Sequence, residues 1–273
     1  MTTTTRERFR PNPVALGLLR SGLEIRQFFR ARDSMIFSFA FPIMLLVIFA
    51  SIFNFEIAPG VKFTQYFIAG MIAAAQLTNG FQTLAIQIPI ERDRGVLKRL
   101  AGSPMPPASY FIGKVVMVYT IGLIETALML AIAGTLFDLS LPDTPAKWLT
   151  LAWVTMLGIA ACTLCGIAFS SIPREGKRAP AVVTPVALVL QFISGVFFVF
   201  TNLPSWMQHI AAVFPLKWMT QGMRSVFLPD SFASQEAAGS WELGKVALIL
   251  GVWVVIGFTL CVLTFRWTAK EER

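Results

Sequence analysis

The stretch Ile88–Pro107, IPIERDRGVLKRLAGSPMPP, packs acids and bases together, breaks at Gly95 and stops at Pro104, Pro106 and Pro107. The chain around it is oily. Phe63 to Ile90 carries no charge, and Val115 to Phe137 carries only Glu125. A soluble domain holds about 25% charged residues. This chain of 273 residues holds 14%, with 55% hydrophobic. A compact charged element between two apolar runs reads as a loop between two membrane spans, and that reading decides the fold class.

Working outward from the loop, a helix needs about 20 predominantly apolar residues to cross a bilayer. The qualifying runs are Ser34 to Phe55, Phe63 to Ile90, Val115 to Phe137, Trp148 to Pro173, Ala179 to Leu216 and Val246 to Phe265. They do not alternate apolar and polar as barrel strands do. Helices are the other structure that satisfies the backbone in lipid. The expected fold is an all-α integral membrane protein with a single transmembrane domain over 1–273. Its six spans are expected at about 34–54, 64–88, 109–136, 148–171, 180–200 and 246–266. Residues 1–34 are polar and basic, and the first apolar run is long enough to stay as an anchor, so no cleavable leader is expected.

Six spans put both termini on one side. Of the 23 Lys and Arg residues, all but Lys62, Lys147, Lys217, Arg224 and Lys245 fall on that side. It holds Arg6, Arg8, Arg10, Arg266, Lys270 and Arg273 near the ends, and Arg92, Arg94, Lys98 and Arg99 in the loop. The positive-inside rule places this side in the cytoplasm. The loop at 89–107 is then cytoplasmic, between the second and third spans.

The net charge of +8 is therefore an orientation signal; no basic-aromatic stretch suited to nucleic acid accompanies it. Cys162 and Cys165 form a C-x-x-C inside an apolar run, without the further ligands a metal needs. His209 is alone. Gly239 to Lys245 approaches a phosphate loop, but Val246 stands where the motif needs Ser or Thr. No catalytic residue, bound cofactor or metal is expected in this chain.

Several segments carry more than oil. Pro13 to Arg32 reads as an interfacial helix with Val14, Leu18, Ile25, Phe28 and Phe29 on one face and Arg20 and Glu24 off it. The second span carries a polar stripe, Gln65, Gln76, Asn79, Thr83 and Gln87, which must face protein or a watery path. Glu125 is the one ionisable residue deep in a span, and such residues are costly. It reads equally as a structural acid and as a substrate contact. The fifth run is too long for one helix. Asn202 to Pro204 and Pro215 break it, so short outer helices over 204–228 are expected, with Trp206 and Trp218 at the interface.

Two motifs resemble the ABC-2 type permeases, the membrane subunits of bacterial ABC exporters for drugs, antibiotics, polysaccharides and lipids. The first is Glu91 followed by Arg94-Gly95-Val96-Leu97-Lys98-Arg99-Leu100 and Ser103-Pro104. The second is Ser194-Gly195-Val196-Phe197-Phe198, Leu203-Pro204, Pro215-Leu216 and Arg224. Lys217-Trp218 departs from the pairs common in that family at this point. The resemblance covers essentially the whole chain. It implies a cytoplasmic coupling helix between spans two and three, and re-entrant outer helices between spans five and six. It also implies two copies of a cytosolic ABC ATPase as partner, which would use ATP and Mg. A second permease copy or a paralogue would complete the pair in the cytoplasmic membrane, in contact with lipid.

The ATPase-coupling residues expected from this are Glu91, Arg92, Asp93, Arg94, Gly95, Leu97, Lys98, Arg99 and Pro104. Phe41, Gln76, Asn79, Thr83, Glu125, Phe197 and Phe198 are the expected lining of a substrate path for a hydrophobic or amphipathic compound. The competing reading is a secondary transporter or channel that uses Glu125 and needs no ATPase.

Overall fold

A computed structural model describes residues 12–53, 55–137, 139, 141–265 and 267, with the side chains of Asp33 and Ser34 left aside. Both termini lie outside the described residues, as do Arg6, Arg8, Arg10, Arg266, Lys270 and Arg273.

The chain enters through α1 (Pro13–Arg30). Asn12 caps it by accepting the Val14 N–H at 3.0 Å, and Pro13 occupies the first turn. An oxygen at the cap and a proline just inside both favour a helix start. α2 (Arg32–Ile52) follows. A short hairpin of β1 (Glu56–Ala58) and β2 (Val61–Lys62) then turns the chain into α3 (Phe63–Leu77). A π-helical turn at Thr78–Gln82 joins α3 to α4 (Thr83–Asp93). Next come α5 (Val96–Ala101), α6 (Pro107–Leu136) and α7 (Pro145–Phe169). α8 (Ala179–Ile193), α9 (Ser205–Val213), α10 (Pro215–Phe227) and α11 (Leu243–Thr264) complete the bundle.

Four of these helices are long and apolar enough to cross a membrane: α2 from Met35, α6, α7 and α11. The other two expected spans differ for physical reasons. The run at 64–88 is helical throughout but is interrupted by the π turn. The run at 180–200 yields a helix that stops at Ile193. Gly195 there adopts φ 74°, a left-handed conformation that ends helices. α8 is 15 residues, about 22 Å long at 1.5 Å per residue. That is short of the roughly 30 Å hydrocarbon core.

α3 is the buried centre. Apart from Gln65, every one of its residues is buried, and α2, α6, α7 and α10 surround it. Between helices in lipid there is no hydrophobic drive, so close packing of small residues substitutes. Ala69, Gly70, Ala73, Ala74 and Ala75 supply it. The π turn is packed just as closely: a Cβ added to Gly166 of α7 would lie 2.6 Å from the Gly80 carbonyl oxygen. By contrast, α2 exposes Phe37, Met44 and Ile48, and α11 exposes Val255, Phe258 and Val262.

α1 packs along the start of α6 with an unexpected face. Gly17, Ser21 and Glu24 are its buried residues, while Val14, Leu18, Leu19 and Leu23 point outward. Of the predicted apolar face, Ile25 and Phe28 are partly packed and Val14, Leu18 and Phe29 are exposed. The polar side turns in because it finds charged partners there.

Candidate functional site

The loop end of the bundle is organised around Gly95. Its φ of 71° is left-handed and separates α4 from α5. Leu97 then turns inward, fully buried in a cluster with Leu84, Ile88, Tyr110 and Met117. Arg94, Lys98, Arg99 and Pro104 stay exposed. The short helix is thus rooted by one leucine and presents a basic tip.

Glu91, Arg92 and Asp93 are held by the protein itself. Tyr110 Oη donates to Glu91 Oε2 at 2.9 Å, and Lys114 Nζ donates to Glu91 Oε1. Arg92 Nη2 donates to the Ser170 carbonyl at 3.1 Å. The Gly176 N–H donates to Asp93 Oδ2 at 2.5 Å. The nine expected coupling residues therefore divide into an anchored root, Glu91 to Asp93, and an outward tip around the Gly95 turn, Arg94 before it and Lys98, Arg99 and Pro104 after it, with Leu97 as the pin.

The sequence reading missed the partners of that root. Lys114 is fully buried and also donates to Glu24 Oε2 at 2.8 Å. Arg20 Nη2 reaches Glu24 Oε1 at 2.9 Å, and its guanidinium sits 5.0 Å from the Tyr110 ring centre. Two cations and two carboxylates offset each other, which a sealed charge cluster requires. The signal was present: Glu24 is an acid among Arg20, Arg26 and Arg30, and Lys114 stands directly before an apolar run.

Within the bundle, Gln76, Asn79 and Glu125 do converge. Asn79, in the π turn, donates to Glu125 Oε2 of α6. Gln76 Nε2 lies 3.5 Å from Thr126 Oγ1 and 3.4 Å from Thr155 Oγ1. All five side chains are buried. Thr83 is elsewhere, bonding back to the Thr78 carbonyl at 3.1 Å. Lower on the same rod, Gln82 bonds Thr184 Oγ1 of α8 at 3.2 Å. The polar stripe of the second span thus fastens it to three neighbouring helices.

Phe197 and Phe198 belong to the opposite, hairpin end. They border a cavity of ≈ 710 Å³ that also touches Phe49 and Phe53 of α2, Phe55 and Phe63. Thr201, Asn202 and Gln235 are its polar lining, and no charged side chain lines it among the described residues. Phe41 is not part of it; that ring stacks on Phe37 at 5.2 Å on the outer face of α2. Of the expected substrate lining, Gln76, Asn79 and Glu125 form a buried polar knot, Phe197 and Phe198 border the aromatic cavity, and Phe41 and Thr83 belong to neither.

Beside the cavity, Arg224 is fully buried and meets Glu236 in a two-pronged pair, at 2.5 and 3.0 Å. Its guanidinium lies 4.8 Å from the Tyr66 ring centre. Lys217 donates to Gln221 Oε1 at 2.5 Å and sits 3.6 Å from the Trp218 ring centre. Burial lowers the Lys217 pKa to about 8, and the nearby Arg224 charge adds to the shift.

A buried small-residue helix, a charged loop rooted in a neutralised cluster and long apolar helices with exposed apolar faces define an α-helical integral membrane protein. The chain belongs to the ABC-2 type transporter family, whose sequence profile matches residues 22–228. Members of this family are membrane components of transporters. The chain is similar to the capsule polysaccharide export inner-membrane protein CtrC of Neisseria meningitidis, 32% identical over 125 residues, covering 43% of this chain and 44% of CtrC. It is similar to the inner membrane transport permease YadH of Escherichia coli K12, 23% identical over 68% of this chain and 72% of YadH. Similarity to the probable multidrug ABC transporter permease YbhR of the same strain is 22% over 71% of this chain and 52% of YbhR. The matched stretch thus spans under half of CtrC and about half of YbhR.

Proposed function

We propose that this chain is the permease subunit of an ATP-driven exporter. It would move a hydrophobic or amphipathic compound outward across a bacterial cytoplasmic membrane. The observation that carries the reading is the divided loop at Ile88–Pro107. Its root is tied into the bundle by Glu91, Arg92 and Asp93, and its tip offers Arg94, Lys98 and Arg99 to a soluble partner. A lever needs this division, because a tip that moved without its root would transmit nothing. Family membership supports a separate cytosolic ABC ATPase as that partner, with ATP and Mg used there.

The arrangement comprises two permease copies, identical or paralogous, and two ATPase copies. Each permease has six spans, with the α3–α4 rod and α8 with its irregular continuation as the second and fifth. Both termini and the loop end face the cytoplasm, in line with the distribution of Lys and Arg. The hairpin end then faces outward. The names of the relatives cover both polysaccharide export and multidrug transport. The uncharged aromatic cavity favours an apolar cargo over a charged polymer.

Reconstitution with a cognate cytosolic ABC ATPase tests the reading. Transport of an amphipathic compound that depends on ATP, together with ATPase activity that responds to the permease, is the expected result. An ATPase indifferent to the permease and no transport would overturn it.

Glu125 motivates a second reading, a carrier driven by protons through this chain alone. Its observed partner is the neutral amide of Asn79. That reading requires uptake or efflux driven by a pH gradient without the ATPase, abolished by Glu125→Gln.

A further inference from the structure

The cavity at the hairpin end is built from segments far apart in the chain. Phe49 and Phe53 close α2, Phe55 leads into the hairpin, Phe63 opens α3, and Phe197 and Phe198 follow α8. The rings order one another. Phe55 stacks on Phe63 at 5.2 Å, Phe53 meets Phe63 at 5.6 Å, and Phe49 lies 6.2 Å from Phe197. A volume of ≈ 710 Å³ lies within the roughly 300–1,000 Å³ of small-molecule sites.

The far wall comes from the segment between α10 and α11. Phe232 and Gln235 of that segment line the cavity, and the next residue, Glu236, is clamped by Arg224. Gln221 Nε2 fastens the same segment further on by donating to the Trp241 carbonyl at 2.8 Å. Tyr66 ties both walls together. Its ring lies 4.8 Å from the Arg224 guanidinium and meets the Phe232 ring edge-on at 6.0 Å. Its hydroxyl accepts the Phe200 N–H at 2.9 Å, just past the turn at Gly195 that aims Phe197 and Phe198. A Cβ at Gly195 would meet Phe200 Cβ at 2.9 Å and Tyr66 Oη at 3.1 Å. The cavity is therefore preformed, as ligand sites usually are.

The chemistry of the lining selects the ligand. Rings offer offset-stacked and edge-on contacts to other rings. With no charged side chain lining the site among the described residues, an ion entering it would lose hydration without a counter-charge. Thr201, Asn202 and Gln235 supply a few neutral hydrogen-bonding groups along part of the wall. We propose that this cavity binds the uncharged aromatic portion of a small molecule, with Arg224 and Glu236 as positioning residues that hold its far wall. This rests on the export reading and gives its cargo a class: neutral, ring-bearing and drug-sized.

The test uses the purified full-length permease in lipid nanodiscs, without the ATPase. The probe is N-phenyl-1-naphthylamine, compared with its sulfonated relative 8-anilinonaphthalene-1-sulfonate and a naphthyl trimethylammonium. Saturable binding of the neutral probe at one site per chain is expected, at least tenfold tighter than either ion. Phe198→Ala and Phe55→Ala, at half-exposed positions where folding is not at stake, should weaken it at least fivefold. Leu203→Trp, which fills the cavity, should abolish it. Phe258→Ala on the outer face of α11 should leave it unchanged. Arg224→Met, which leaves Glu236 buried and unpaired, should weaken probe binding, and Glu236→Gln added to Arg224→Met should restore part of it.

Tighter binding of the anion or the cation would overturn the proposal. So would loss of the probe to added lipid acyl chains, which would make the cavity a lipid seat. Unchanged binding in Phe198→Ala, with a shift from dimer to monomer, would make this face an interface between copies. If the neutral probe binds as stated but the ATPase-loaded complex exports nothing, the export reading fails and the site stands. If export persists while the cavity variants bind the probe normally, the site fails and the export reading stands.

Discussion

Lys114 and Glu24 lie 90 residues apart in the chain, yet their side chains meet at 2.8 Å with both sealed from the exterior. One comes from the start of the α6 span and the other from the helix preceding the first span. Because Lys114 also holds Glu91, the entry helix and the root of the charged loop share one cation. Removing one partner of a buried pair costs about 3–5 kcal/mol, since the opposite charge is left sealed and unpaired. Lys114→Met leaves Glu24 and Glu91 with Arg20 as their one remaining cation and should lower the thermal midpoint of the purified permease sharply. Adding Glu91→Gln leaves Arg20 opposite Glu24 and should recover much of that loss. A double variant no more stable than Lys114→Met would contradict the charge-balance account.

Leu97 and its exposed neighbours should separate stability from coupling. Leu97 is fully buried, so Leu97→Ala should destabilise by about 2–5 kcal/mol, the usual range for a buried leucine. Arg94→Ala, Lys98→Ala and Arg99→Ala remove exposed charges and should change stability by less than about 0.5 kcal/mol. In the complex with the ATPase they should depress transport while the permease remains folded. Intact transport in the triple alanine variant would remove the tip from the coupling role.

Much of this end was legible in the sequence, for reasons that particular residues make plain. The charge density of Ile88–Pro107 and the break at Gly95 mark a loop element whatever packs around it. The partners of Glu91 were not legible, because Lys114 and Glu24 are distant in sequence and their meeting depends on α1 turning its polar side inward. The same limit applies to Arg224 and Glu236, twelve positions apart but joined across a turn. Gln76, Asn79 and Glu125 could be grouped because polar side chains in a span must find one another. Phe41 was grouped with Phe197 by residue type alone, and only the direction of the α2 face distinguishes them.

Gly166 provides a test of the contact between α7 and the π turn. A methyl there would enter the space of the Gly80 and Phe81 carbonyl oxygens, at 2.6 and 2.7 Å. These are backbone atoms and have no rotamer by which to yield. Overpacking of this kind costs about 1–3 kcal/mol. Gly166→Ala should lower the thermal midpoint, whereas Gly251→Ala, at a position with open space around it, should not. Equal midpoints for the two variants would mean that the two helices can separate without loss.

Lys217 carries a pH dependence of defined sign. Burial holds its pKa at about 8 in the folded protein, below the ordinary lysine value of 10.5. The folded state therefore releases this proton more readily than the unfolded chain. Below pH 8 the ammonium is present in both states, and its desolvation cost is fully felt. As pH rises from about 8 to 10.5, the unfolded chain binds more protons than the folded one, so stability should rise from this group. Lys217→Gln removes the titrating group. Thermal midpoints of the permease should then rise less with pH across this window in Lys217→Gln than in the unaltered chain, and the variant should be the more stable at pH 7. Parallel midpoint curves for the two proteins would mean that Lys217 keeps its ordinary pKa in the fold.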